Sequence, residues 1–136
     1  MKQLPLTTTS LKQCCLPAKE WPDFIDIEKI DNENDEIQIT CLIPSNLKWF
    51  EGHYPEQPVL PGVVQVNWAC ELARIFFPRN EFQAIHSLKF TSMILPETQL
   101  ILTLKSNPKT ESISFTYANN DHRFSSGKIV FKDSKS

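Results

Sequence analysis

The chain has 136 residues, 40% of them hydrophobic, and a formal net charge of −2. That length suits one domain, able to bury roughly two-thirds of its unfolded surface without metal or disulfide staples. The slight acidity argues against nucleic acid as the main partner, since phosphate binding needs a basic face; no apolar run reaches the ~18 residues of a membrane span or resembles a signal peptide, so a soluble, cytoplasmic protein is expected.

Residues 1–21 are polar, with Thr7, Thr8, Thr9 and Ser10 in a row and prolines at Pro5 and Pro17. They read as an N-terminal arm or short irregular segment with room for a turn of helix, and residues 22–136 read as the folded domain. The first strand pattern runs from Phe24 to Ile30 around Ile25 and Ile27. After the turn signal Asn32-Glu33-Asn34-Asp35, Ile37, Ile39, Cys41 and Ile43 alternate with Gln38 and Thr40. A period of two argues a hairpin with one buried face.

A proline-rich loop follows, carrying His53 and then Pro55, Pro58 and Pro61. Pro61 suits a helix start because its missing N–H costs nothing there, and Pro78 is the stop signal. Between them Val63, Val64, Val66, Trp68, Ala69, Cys70, Leu72, Ala73, Ile75 and Phe76 cover nearly the whole circumference. A helix apolar all round is expected to be buried. Asn67, Glu71 and Arg74 fall on one face at i, i+4 and i+7.

Four further strand patterns complete the chain. His86, Leu88 and Phe90 share a face, as do Leu100, Leu102 and Leu104, and Ile113, Phe115 and Tyr117. A turn at Asn119-Asn120-Asp121 leads to a last strand, Arg123 to Lys132, in which Gly127 suggests a bulge. Two strands, one helix and four strands make an α+β domain. One antiparallel sheet covers only part of an all-apolar helix, so a second copy or partner chain is expected to complete the cover. Cys14, Cys15, Cys41 and Cys70 form no C-x-x-C pair, and neither a disulfide nor a metal site is expected.

The wording at Gly52-His53-Tyr54-Pro55 and Pro58-Val59-Leu60-Pro61-Gly62-Val63 resembles the G-H-F-P loop and P-V-x-P-G-V helix start of the hot-dog-fold 3-hydroxyacyl-[acyl carrier protein] dehydratases. Leu88-Lys89-Phe90 and Ile94-Leu95-Pro96-Glu97-Thr98-Gln99-Leu100 resemble that family's later K-F and V-x-P-G-D-x-L segments, and the likeness runs from about Phe24 to Lys132. Within the family, W-F-x-G-H-Y-P and G-V-V-Q-V-x-W-A are most similar to the dehydratase-like proteins of aryl-polyene gene clusters.

The resemblance implies a hot-dog fold, an antiparallel sheet wrapped around one long central helix, that dimerises as a homodimer or with a second hot-dog subunit. It implies dehydration of a 3-hydroxyacyl thioester, carried on the 4′-phosphopantetheine of acyl carrier protein, to the trans-2-enoyl form, with no metal or organic cofactor. His53 is then the general base at C2, a role that imidazole suits near neutral pH. The free N–H groups of Gly62 and Val63, at the positive end of the helix, would stabilise the developing oxyanion. Tyr54 and Pro61 complete the expected substrate-binding set, and Gly62 would let substrate approach the backbone.

One position departs from the family pattern. The family's helix carboxylate, fourteen residues after the histidine, is here Asn67, and an amide cannot carry a proton at neutral pH. Three readings follow: His53 makes both transfers while Asn67 holds the hydroxyl or a water; Glu71, one turn on, supplies the acid; or a second hot-dog chain supplies it. The alternatives to a dehydratase are a hot-dog thioesterase and a partly inactive subunit. Glu71 also reads as a surface carboxylate paired with Arg74, His86 as a satisfied core histidine, and His122 as solvated. Arg74, Arg79, Lys89 and Lys105 read either as cations facing an acidic carrier protein or as scattered surface charge. Trp49, Phe50, Tyr54, Trp68 and Phe90 read as core, or as the lining of an acyl tunnel.

Overall fold

The computed structural model describes residues 7–30, 35–51, 58–77, 81–107 and 109–132. The elements are α1 (Thr8–Cys14), β1 (Asp23–Ile30), β2 (Glu36–Leu42), α2 (Gly62–Phe76), β3 (Phe82–Phe90), β4 (Gln99–Asn107), β5 (Ser112–Ala118) and β6 (Arg123–Phe131). The expected turn at Asn32, Glu33 and Asn34 and the stop signal Pro78 lie outside the described residues.

The six strands form one antiparallel sheet in the order β1-β2-β4-β5-β6-β3. The two strands before the helix stand at one end, and the strand after it stands at the other edge. The chain therefore crosses one face of the sheet between β2 and β3, and α2 packs on that face against β4. Period-two patterning decides which side chains meet it. Ile37, Ile39, Cys41 and Ile43, then Leu100, Leu102 and Leu104, then Ile113, Phe115 and Tyr117 are all buried beneath the helix side of the sheet. This is the sheet-on-central-helix arrangement expected from the sequence.

Pro61, in extended conformation, caps α2, and the helix ends at Phe76 with the Phe77 N–H bonded to Ala73 O at 2.7 Å. Its burial corrects one expectation. Only Val64, Gln65, Trp68, Ala69, Leu72, Ala73 and Phe76 are buried, whereas Val63 is 75% exposed and Asn67 and Arg74 are open to solvent. A single sheet covers one stripe of a helix, and composition around the circumference does not reveal which stripe.

The edge strands bring further corrections. In β1 the buried residue is Phe24, while Ile25 is exposed at a register shift between Phe24 and Asp26. In β3, Leu88 and Phe90 are exposed and His86 is solvated, so the reading of His86 as a core histidine fails. β3 pairs with β6 alone and is irregular at two places. One is a bulge between His86 and Lys89, with Ser87 at φ 55°, so the irregularity expected at Gly127 lies in the strand opposite it. Gly127 is required for a different reason: a Cβ there would stand 2.7 Å from Cε2 of the buried Phe115 ring. The Asn119 turn forms as expected, its Oδ1 accepting from the N–H groups of Asp121 and His122, both at 2.9 Å. Glu97, in the place of the family's turn glycine, takes φ 66° and donates its N–H to Ile43 O at 2.6 Å.

The N-terminal segment is built into the core. Thr7 caps α1 by accepting from the Ser10 N–H, and Leu11 is fully buried. The indoles of Trp49 and Trp68 both donate to Glu20 O, at 2.9 and 2.8 Å, and Trp21 stacks on Trp68 at 6.3 Å. Trp68 and Phe50 are thereby core residues, as their simpler reading had it. Every described cysteine is a free thiol.

Candidate active site

The helix start is the first feature of the site. Val64 and Gln65 donate their N–H groups to Pro61 O at 3.1 and 3.2 Å. Pro61 provides no side-chain cap, so among the described residues the N–H groups of Gly62 and Val63 have no acceptor. The first amides of any α-helix lack partners within it, and here the macrodipole adds its positive end. Two donors suited to a developing negative charge therefore sit together where the sequence placed them. The ring of Phe90 lies over Gly62, its Cζ 2.7 Å from where a Cβ would be, so that side of Gly62 is occupied by an aromatic ring.

From this end a groove of about 330 Å³ follows the open face of α2. Val63, Val66, Asn67, Cys70, Glu71 and Arg74 form its helix wall, and Phe82, Ile129 and Phe131 form the opposite wall. The shared face of Asn67, Glu71 and Arg74, legible from their spacing, is this wall. The strand wall was not legible, because it depends on β3 and β6 lying beside each other at the sheet edge.

Asn67 stands one turn into the helix, exposed, and its amide has no hydrogen-bond partner among the described residues. Glu71 forms an ion pair with Arg74 at 3.6 Å, both side chains about half exposed. Such a surface pair is worth at most ~1 kcal/mol. Next to it, burial and then the neighbouring Glu71 push the Cys70 thiol up to about 11, against the opposing pull of Arg74, so the thiol is neutral at physiological pH. His53 and Tyr54 lie outside the described residues. Pro61 and Gly62 are half-buried just before Val63, the first helix residue to line the groove. Of the proposed carrier-facing cations, Arg74, Lys89 and Lys105 are exposed and Arg79 lies outside the described residues. No helix among the described residues is long and apolar enough to cross a membrane.

Residues 29–128 match the family described as ApeI-like, ApeI dehydratase. The chain is similar to a chain of the dehydratase heterocomplex ApeI:P from Xenorhabdus doucetiae, at 32% identity and a TM-score of 0.72 over 81% of this chain and 96% of that one. It is also similar to an uncharacterised protein of Erwinia carotovora subsp. atroseptica, at 31% identity and a TM-score of 0.70 over 85% and 99% of the two chains. Among curated proteins, the 3-hydroxyacyl-[acyl-carrier-protein] dehydratase FabZ of Lactococcus lactis subsp. cremoris is 26% identical over 113 residues, 77% of each chain.

Proposed function

This chain belongs to the ApeI-like family of hot-dog dehydratases, and we propose that it removes water from a 3-hydroxyacyl thioester carried on acyl carrier protein, giving the trans-2-enoyl thioester. The observation that carries the proposal is the colinear site: the amides of Gly62 and Val63, which have no acceptor among the described residues, stand at the end of α2 from which an apolar groove runs from Val63 past Asn67. The thioester oxygen would sit at the amides and the acyl chain would lie along the groove.

In this reading His53 takes the C2 proton. Electron density moves onto the thioester oxygen, where the Gly62 and Val63 N–H groups stabilise it. It then returns to form the C2–C3 double bond as the 3-hydroxyl departs. The departing hydroxyl needs a proton to leave as water, and the Asn67 amide supplies none. Glu71 is already engaged by Arg74. We therefore place the acid on a second hot-dog chain, with Asn67 orienting the hydroxyl. The similar X. doucetiae chain comes from a dehydratase heterocomplex, which supports partnering of two such subunits.

The exposed surface fits the same reading. Val63, Phe82, Leu88, Phe90 and Met93 are large apolar residues left open on α2, β3 and the loop beyond it. An apolar edge strand of this kind invites pairing. No metal or organic cofactor enters the scheme, and the expected setting is the cytoplasm, where acyl carrier protein supplies the substrate, in fatty acid or aryl-polyene biosynthesis.

The test is turnover of a 3-hydroxyacyl carrier protein, followed by mass spectrometry, with the chain alone and mixed with a second hot-dog subunit that carries a helix carboxylate. Loss of water only in the mixture is expected, abolished by His53→Ala. Release of free acid would make the protein a thioesterase. Retained dehydration in His53→Ala would end the assignment.

A further inference from the structure

Gln65 is the one polar residue on the buried stripe of α2, among Val64, Trp68, Ala69, Leu72, Ala73 and Phe76. It is 3% exposed. Its Nε2 donates to Leu60 O at 3.2 Å, and its Oε1 accepts from Ser125 Oγ at 2.6 Å. Its own carbonyl accepts from the fully buried Tyr117 Oη at 2.6 Å. Leu60 in turn donates its N–H to Ile94 O at 2.9 Å. One residue thus joins the loop before the helix, the first turn of the helix, β5 and β6.

An apolar side chain of similar volume would fill the same space. It would not fix a direction, because apolar contacts are indifferent to rotation about the helix axis, whereas hydrogen bonds weaken steeply off their geometry. The atoms so restrained flank Gly62 and Val63 on both sides: Leu60 two residues before Gly62, Gln65 two residues after Val63.

We propose that Gln65, held by Ser125 and Tyr117, is a positioning residue that sets the aim of the Gly62 and Val63 amides at the substrate oxygen. The proposal rests on the dehydratase reading above. Donors that stabilise developing charge work by being pre-aimed, and small misplacements of such groups lower rate more than binding.

The experiment compares the wild type with Gln65→Met and Ser125→Ala, each assayed with the subunit the wild type needs, on a 3-hydroxyacyl pantetheine thioester. Each variant is expected to lose roughly ten- to a hundredfold in kcat, with KM within about twofold, at a temperature where circular dichroism shows it folded. The amide resonances of Gly62 and Val63 are expected to shift in both variants, and the shift does not depend on turnover. If Gln65→Met fails to fold, Ser125→Ala carries the test, since it removes one hydroxyl from a residue in β6. A folded variant with wild-type kcat, or with unmoved Gly62 and Val63 amides, overturns the proposal. A wild type inactive in every combination overturns the dehydratase reading instead, and the amide shifts then decide on Gln65 alone.

Discussion

The two sides of α2 are both rich in apolar residues yet meet different surroundings. One side, through Trp68, Ala69, Leu72 and Phe76, is closed by the sheet and by the Glu20 carbonyl that receives two indoles. The other, through Val63, Val66, Asn67, Cys70 and Arg74, lines an open groove. The closed side holds the fold together, and the open side is free to carry chemistry. Polar residues follow the same division. On the closed side Gln65 has its hydrogen bonds satisfied by protein; on the open side the Asn67 amide has no partner among the described residues.

Substitutions can break this contrast in order of size. Trp68→Ala removes a fully buried indole together with its hydrogen bond to Glu20 O. It is expected to cost about 3–5 kcal/mol in urea unfolding, and a loss below ~1 kcal/mol would mean the closed side is not core. Gly127→Ala forces a Cβ against the buried Phe115 ring. We expect about 1–3 kcal/mol, the usual cost of overpacking.

Alkaline pH tests the same core. Burial, then the nearby Cys15, raises the Cys41 thiol above its ordinary 9.0, and burial, then Cys41, raises the Tyr117 hydroxyl well above 10.0. Both groups stay protonated in the folded chain while the unfolded chain ionises. The stability they contribute is therefore whole below about pH 9 for Cys41 and about pH 10 for Tyr117, and each is lost as pH rises beyond that, by about 1.4 kcal/mol per pH unit. Urea midpoints between pH 8 and 11 give the measurement, and Cys41→Ala should lessen the slope that begins near pH 9, leaving the share of Cys15 and Cys70, whose thiols burial also raises.

Gly62→Ala sharpens the contrast with Gly127. The added Cβ also meets a ring, but Phe90 is half exposed and can turn away. Stability should change by less than about 1 kcal/mol, while kcat falls if the proposed oxyanion site is right. Smallest of all, Arg74→Ala opens the exposed pair with Glu71 and should change the unfolding free energy by no more than ~0.5 kcal/mol. A larger effect would show that the pair lies in a buried interface.

Much of this was legible in residue order. The strands β2, β4 and β5 are central and buried on one face, so period two appears cleanly in Ile37 to Ile43, Leu100 to Leu104 and Ile113 to Tyr117. Pro61 marked the helix start, and the spacing of Asn67, Glu71 and Arg74 marked one wall of the groove. The edge strands were harder to read. At Ile25, and again at Ser87, a bulge reverses the alternation, and an exposed apolar edge such as Leu88 and Phe90 carries the same letters as a core strand. Leu11, Glu20 and Trp21 gave no local sign of their partners, which lie on distant elements.

The sequence by itself determined the order of the six strands and α2, the start of α2, the family and the departure at Asn67, because each of these is written in neighbouring residues or in a fixed period. Only the tertiary structure decided which stripe of α2 is open, that Gln65 ties the helix start to β5 and β6, and that β3 and β6 supply the second wall of the groove. Those features depend on contacts between residues far apart in the chain, and hydrophobicity has no direction from which such pairings can be read.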